Sequence, residues 1–210
     1  MKTFIALLRG INVSGQKKIK MAELRAHLES RGYQEVRTYV QSGNIVFGYD
    51  ETSFEKVSSL LEEFFHQEYG FEVKNIIVDH DTISRAYREN PFISDETKDP
   101  KRQFISFLDK VPEPERFNSF DADSYKPEEF VTKGRIIYGY SPEGLGKAKM
   151  NNNFFESKLK VTATTRNLNT VKALIEMTVL RFRVAAVTFS LLSKKLLFIL
   201  ALPNPSGEWP

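Results

Sequence analysis

The amino-acid sequence predicts an α+β protein in which one order of strands and helices occurs twice, followed by a closing helix. Short apolar runs rich in strand-forming residues alternate with segments whose apolar residues recur every three or four positions. Two pairs of strand-like runs are joined by turn sequences, one containing Gly43 and the other Gly134. A content of 41% hydrophobic and 27% charged residues is typical of a globular protein rather than a disordered one.

The first set of elements is predicted within residues 1–80. Its strands are short runs of apolar and β-branched residues, at Lys2–Leu8, Glu35–Val40, Ile45–Phe47 and Phe71–Val78. Its first helix places three apolar residues on one face and ends at Gly32: Met21, Leu24 and Leu28. Its second helix ends at Gly70 and has a longer apolar face: Phe54, Val57, Leu60, Leu61, Phe64 and Phe65. The resulting order, βαββαβ, is that of a ferredoxin-like unit.

The second set is predicted within residues 81–177, after a connecting helix at about Asp81–Asn90. Its strands are expected at Phe104–Leu108, Glu129–Val131, Arg135–Tyr140 and Val161–Thr164, and its helices at Pro112–Phe120 and Asn151–Leu159. A closing helix starts near Asn167 and has Val171, Leu174 and Ile175 on its inner face. The fold class is therefore α+β, with two ferredoxin-like units and a C-terminal helix.

Residues 178–210 form an atypical tail that is both apolar and basic. The whole net charge of +3 lies in this tail, since residues 1–177 have equal numbers of acidic and basic side chains. Lys194 and Lys195 interrupt its apolar residues, and a spanning helix needs about 20 mainly apolar residues, so we expect no transmembrane span. Weak contact of the tail with an anionic membrane surface is left open. The tail is either a true appendage or the translation of unrelated codons after a reading-frame change, and we favour the latter.

Composition excludes several classes of protein. With no cysteine, the chain has no disulfide framework, no thiol nucleophile and no cysteine-ligated metal. The apolar run Phe4–Leu8 is shorter than the core of about 7–15 residues that a secretory signal requires, so we expect a cytoplasmic protein. The balanced charge of residues 1–177 argues against an extended surface for nucleic acid.

The predicted strand directions bring two polar segments together. A helical crossover makes the first two strands parallel, so the loop after the first strand and the hairpin between the second and third lie at one end of the sheet. That end contains Arg9, Asn12 and Lys17–Lys20 from the loop, with Ser42 and Asn44 from the hairpin. Such convergence at the carboxyl ends of strands is where open α/β sheets commonly bind ligands.

The loop resembles a phosphate-binding P-loop but lacks its essential lysine. In Gly10–Lys17 the lysine position is occupied by Gln16, so we do not expect a nucleotide hydrolase. Turns with positive φ explain Gly10 and Gly15 better than a phosphate-binding loop does. The backbone N–H groups at the start of the following helix, together with the nearby lysines, would hold a phosphate or carboxylate without magnesium. The alternative is that these lysines form a solvated basic loop that binds no ligand.

Two further polar segments have simple structural explanations. Asp79-His80-Asp81 is a weak metal motif, because capping of the next helix by Asp81 explains it as well, and we predict no metal and no cofactor. Asn167 directly precedes an apolar-periodic run, so we expect it to be an N-cap.

Four ordered motifs resemble the bacterial family called domain of unknown function 1697. They are Leu8-Arg9-Gly10-Ile11-Asn12-Val13, Ile19-Lys20-Met21, Gln41-Ser42-Gly43-Asn44 and Ala163-Thr164-Thr165-Arg166-Asn167-Leu168-Asn169-Thr170. The resemblance covers about residues 1–177 and implies a small cytoplasmic α+β protein of two ferredoxin-like halves with no established reaction. This chain departs from the family pattern at Ser14, where glycine is usual, and at Leu168, where tryptophan is usual.

These observations lead to one candidate site and three functional hypotheses. The expected ligand-binding residues are Arg9, Asn12, Lys18, Lys20, Ser42 and Asn44, to which the family motifs add Lys149, Arg166 and Asn167. We favour binding of an anionic ligand, either a phosphorylated metabolite or a short nucleic acid. The alternatives are an enzyme acting on a phosphorylated or carboxylated small molecule, and a structural or protein-interaction module. No catalytic residue is identified.

Overall fold

The computed structural model describes residues 1–13, 15–41, 43–118 and 122–179. The expectations made for Ser14, for Ser42 and for tail residues 180–210 lie outside the described residues. Within the described ranges the predicted fold class is confirmed, because the chain forms two four-stranded antiparallel sheets with interleaved helices and a C-terminal helix.

The first sheet has the strand order β2-β3-β1-β4. Its elements are β1 (Lys2–Leu8), α1 (Met21–Ser30), β2 (Gln34–Tyr39), β3 (Asn44–Tyr49), α2 (Phe54–Tyr69) and β4 (Asn75–Val78). Because β1 and β2 are both antiparallel to β3, they run parallel to each other, as the helical crossover predicts.

The second sheet repeats this pattern with the order β6-β7-β5-β8. Its elements are β5 (Gln103–Leu108), α4 (Pro114–Asn118), β6 (Glu129–Lys133), β7 (Ile136–Tyr140), α5 (Asn152–Leu159) and β8 (Ala163–Asn167). Helix α3 (His80–Arg88) connects the two sets, and residues 168–179 form helix α6. Short 3-10 helices lie at Pro100–Arg102, Ala122–Tyr125 and Leu145–Lys147.

The two sheets share a central core and each has a second core on its outer face. The outer face of the first sheet packs against α1 and α2, and that of the second packs against α4 and α5. The central core combines residues of both sheets with residues of α3 and α6: Ile5, Leu7, Val46, Ile76, Val78, Ile83, Ala86, Ile105, Phe107, Tyr138, Leu168, Val171 and Leu174. Leu168 is therefore a core residue between the sheets.

Several boundaries differ from the predictions for identifiable reasons. The fourth strand begins at Asn75 rather than Phe71, because Phe71 packs against the outer core ahead of the strand. Strand β8 extends to Asn167, past the predicted end at Thr164, so Arg166 lies within a strand. The cap of α3 is Asp79 rather than Asp81, since the Asp79 side chain accepts a hydrogen bond from the Thr82 backbone N–H.

Helix α6 extends beyond the predicted boundary between the second unit and the tail. Residues 168–179 are helical, and Thr178 is fully buried. The Thr178 Oγ1 lies 2.7 Å from the His80 Nδ1, which links α6 to α3. The predicted boundary after residue 177 therefore falls within α6. None of the helices within the described ranges is long and apolar enough to cross a membrane.

Candidate functional site

The loop after β1 and the hairpin between β2 and β3 meet at one end of the first sheet, as the strand directions predict. The Leu8 backbone N–H donates to the Gly43 carbonyl over 2.9 Å. Gly43 has a φ of 82°, and a Cβ there would lie 2.6 Å from the Ile11 Cδ1 and 2.8 Å from the Leu8 Cβ. Only glycine allows this approach of the two segments.

Asn12 holds the loop closed and joins it to the hairpin. Its Oδ1 accepts from the Ile19 backbone N–H over 2.8 Å, and its Nδ2 donates to the Ile19 carbonyl over 3.0 Å. The same Nδ2 donates to the Gln41 carbonyl over 2.8 Å. The side-chain amide of Asn12, at the start of the loop, is thus bound to the backbone of Ile19 at its end and of Gln41 beside the hairpin.

Arg166 is buried, with 6% of its surface exposed, and donates five hydrogen bonds. The Nη2 donates to the Leu8 carbonyl over 2.8 Å and to the Gly43 carbonyl over 3.1 Å. The Nη1 donates within β8, to the Thr164 Oγ1 over 2.7 Å and the Thr165 carbonyl over 2.9 Å. The Nε donates to the Asn44 Oδ1. Because a guanidinium has five N–H bonds, these contacts use its donor capacity fully.

These groups, Arg166 with its acceptors on Leu8, Gly43, Asn44 and Thr164, form what we call the Arg166 cluster. Asn44 is fully buried, and its Nδ2 donates to the Tyr39 carbonyl over 2.9 Å. Burial, followed by the nearby charge of Arg9, lowers the pKa of Arg166 to about 10, so the guanidinium still carries its charge at neutral pH. The Arg166 cluster fastens the edge strand β8 of the second sheet to the end of the first.

Arg9 forms a second link between the two sheets. Its Nε donates to the Glu156 Oε1 over 3.0 Å, and its Nη2 donates to the Glu156 Oε2 over 3.0 Å. The Nη2 also donates to the Asn153 Oδ1 over 2.6 Å. Glu156 in turn accepts from the Ala163 backbone N–H over 3.1 Å. This fork-to-fork geometry is the strong form of an arginine–carboxylate pair.

We expect the substitutions Arg9→Met and Glu156→Gln to be strongly coupled. Each should lower the free energy of unfolding, and the double variant should lose about 1 kcal/mol less than the sum, because both remove one partly buried pair. Urea denaturation of the four proteins of this double-mutant cycle measures the coupling. Additive losses would show that the two side chains do not interact in the folded protein.

A groove beside the loop contains two of the remaining predicted side chains, Lys18 and Lys20. Its volume is about 770 Å³, and we call it the lysine groove after Lys18 and Lys20. It is lined by the loop, the first turns of α1 and neighbouring residues: Asn12, Lys18, Ile19, Lys20, Met21, Ala22, Glu23, Arg25, Gln41 and Tyr69. Sequence reasoning missed Arg25, which lies one helical turn beyond the motif in α1.

The cations of the lysine groove differ in how they are held. The Lys20 Nζ donates to the Glu23 Oε1 over 2.8 Å, and this hydrogen bond raises the pKa of Lys20. The Arg25 Nη1 donates to the Thr38 Oγ1 over 2.8 Å. Within the described part of the chain, the Lys18 side chain makes no hydrogen bond or ion pair.

The two other residues suggested by the family motifs lie outside the lysine groove. The side chain of Lys149 is exposed, and its backbone N–H donates to the Glu128 Oε1 over 2.7 Å. The Asn167 Oδ1 accepts from the Thr170 backbone N–H over 2.8 Å, which confirms that Asn167 caps α6. Among the residues that the structure describes, no three His, Cys, Asp or Glu side chains are arranged to hold a metal ion.

The fold and these polar contacts define a two-sheet α+β protein in which buried and partly buried arginines join the sheets. The chain belongs to the family of proteins of unknown function DUF1697, whose model matches residues 1–138. The motif from Ala163 to Thr170 lies beyond that match. The conserved bacterial protein SP0830 from Streptococcus pneumoniae has a similar structure, with a TM-score of 0.61 and 25% identity, covering 84% of this chain and 98% of that chain. No curated protein matches this chain.

Proposed function

We propose that this protein binds a phosphorylated small molecule in the lysine groove. The observation that carries the proposal is that Lys18, Lys20 and Arg25 line one open groove of about 770 Å³. The groove has a single acidic lining residue, Glu23, which pairs with Lys20. The remaining positive charge favours an anion with several acceptor oxygens, such as a phosphate group.

Three other predicted residues hold the loop and the hairpin in place through hydrogen bonds within the protein, and we do not assign them contacts with the ligand. Asn12 holds the wall of the lysine groove in place through its contacts with Ile19 and Gln41. Arg166 and Asn44 hold the hairpin against the end of β1. A site carried by a fixed loop loses less conformational entropy when a ligand binds. The cytoplasmic location predicted from the sequence is part of this proposal.

Titration of the full chain with pyrophosphate, followed by calorimetry, tests the proposal. We expect saturable binding that weakens about fivefold in Lys18→Gln, because an exposed charge contributes roughly 1 kcal/mol or less. Lys158→Gln is the matched control, since Lys158 is an exposed lysine on α5, away from the groove. Absence of saturable binding, or equal effects of the two substitutions, would refute the assignment.

Two further readouts separate the alternative functions. A short nucleic acid bound at this groove should compete with free phosphate and give a log–log salt slope of roughly −3 for three contacts. A steeper slope without competition would indicate an extended polymer surface instead. Turnover of a phosphorylated compound that is lost in Lys18→Gln would assign an enzyme, whereas an increase in melting temperature without turnover supports binding alone.

A further inference from the structure

A cleft between the two sheets contains polar groups that the proposed function does not use. It lies beside the central core and has a volume of about 360 Å³, within the usual range for small-molecule sites. Five elements line it: the edge strand β4 of the first sheet, helix α3, strands β5 and β7, and the end of β6 with the turn that follows. We call it the inter-sheet cleft.

The inner wall of the inter-sheet cleft is apolar. Most of its side chains also belong to the central core or border it: Ile76, Val78, Ala86, Phe107, Ile136 and Tyr138. Apolar surface that remains open at this point favours an apolar molecule or group, since its burial removes that surface from water. The wall therefore matches the hydrocarbon part of a ligand.

Tyr138 has a buried ring and a hydroxyl that has no hydrogen-bond partner among the residues that the structure describes. Only 2% of the residue is exposed, and its hydroxyl makes no hydrogen bond within the described part of the chain. Burial, together with Glu89, raises the pKa of Tyr138 to about 12, and Arg85 acts in the opposite direction. Because Glu89 and Arg85 both line the inter-sheet cleft, the hydroxyl end of Tyr138 faces it. The hydroxyl is therefore a donor available to a ligand in the inter-sheet cleft.

The charged side chains at the mouth of the inter-sheet cleft favour a negatively charged group on that ligand. The Lys133 Nζ lies 2.7 Å from the Glu89 Oε2, so these two charges compensate each other. Arg85 makes no ion pair or side-chain hydrogen bond among the described residues. Arg135 has a long contact of 3.4 Å from its Nη1 to the Asp109 carbonyl. Since Lys133 compensates Glu89, an anionic group in the cleft finds Arg85 and the Tyr138 hydroxyl.

We propose that the inter-sheet cleft binds a small carboxylate that has an apolar body. The carboxylate accepts hydrogen bonds from the Arg85 guanidinium and the Tyr138 hydroxyl, and the body packs against Ile76, Phe107 and Ile136. Charge complementarity selects this occupant over a neutral molecule. The inter-sheet cleft and the lysine groove have no lining residue in common, so the two sites are independent.

Two ligands of nearly equal size test the carboxylate preference on the full chain. We expect 3-phenylpropionate to bind saturably at millimolar concentration and about tenfold more tightly than 3-phenylpropanamide, since charge-assisted hydrogen bonds to arginine are the stronger kind. Titrations followed by NMR of backbone amides measure both affinities and show whether signals of β4, β7 and α3 shift. Equal affinity for the two ligands, or no saturable binding of the carboxylate, would overturn the proposal.

Three variants assign the preference to the named groups. Arg85→Gln should abolish the difference between the two ligands, while Arg88→Gln, on the same helix but outside the lining, should preserve it. Tyr138→Phe should weaken 3-phenylpropionate several-fold and leave the stability unchanged, because the hydroxyl has no protein partner to lose. Equal effects of Arg85→Gln and Arg88→Gln would contradict the site. Lys18→Gln should affect pyrophosphate alone, which separates this proposal from the lysine groove.

Discussion

Replacement of Arg166 by methionine is expected to lower the free energy of unfolding by about 3 kcal/mol, because buried acceptors lose their donors. The side chain donates to the Leu8 and Gly43 carbonyls and to the Asn44 Oδ1, and it lies in a strand of the other sheet. Methionine fills a similar volume and donates nothing. Urea denaturation of the full chain measures the loss.

Two further variants show whether the loss of stability arises from the Arg166 cluster. Arg31→Met removes an exposed arginine whose contacts with Gln67 and Glu68 are 3.2 and 3.4 Å long, and it should change stability by less than about 0.5 kcal/mol. Asn44→Ala should be non-additive with Arg166→Met, because the two side chains share a hydrogen bond. A loss below about 1 kcal/mol in Arg166→Met would contradict the role of Arg166 in joining the sheets.

Gly139→Ala is the second substitution for which we expect a large effect, a destabilisation of about 2–3 kcal/mol. The Cβ of an alanine there would lie 2.0 Å from the Phe104 Cζ and 2.2 Å from its Cε2. Phe104 is the partner of Gly139 across the β5–β7 pair and is only 1% exposed. The ring therefore covers the glycine directly and has no free space into which it can move without disturbing the core.

Gly146→Ala provides a matched control for this overpacking. A Cβ at Gly146 would have no neighbour within 4 Å, so the same chemical change should alter stability by less than about 0.5 kcal/mol. Shortening the ring with Phe104→Leu should make the Gly139→Ala substitution less costly, which a double-mutant cycle would detect. Equal melting temperatures for Gly139→Ala and Gly146→Ala would show that the Phe104 ring does not restrict this position.

Much of the local structure could be predicted because its signals lie close together in the sequence. The apolar spacing of Phe54–Phe65 and the glycine at position 70 predict α2, which runs from Phe54 to Tyr69 and ends at Gly70 with a φ of 74°. Asn167 is recognisable as a cap because the apolar face of α6 follows it directly. The crossover rule then predicts that the loop after β1 meets the hairpin, which the bond from Leu8 to Gly43 confirms.

The partners of the candidate site residues were decided by the tertiary structure. Glu156 is 147 positions from Arg9, and the Leu8 carbonyl is 158 positions from Arg166. No local spacing relates such residues, because their contact depends on how β8 and α5 of the second set pack against the end of the first sheet. The sequence by itself determined the strands, the helices and the meeting of loop and hairpin. The packing of the two sheets placed Arg9 and Arg166 between them and left the inter-sheet cleft open. The reason is that residues far apart in the chain become partners only when the fold brings their surfaces together.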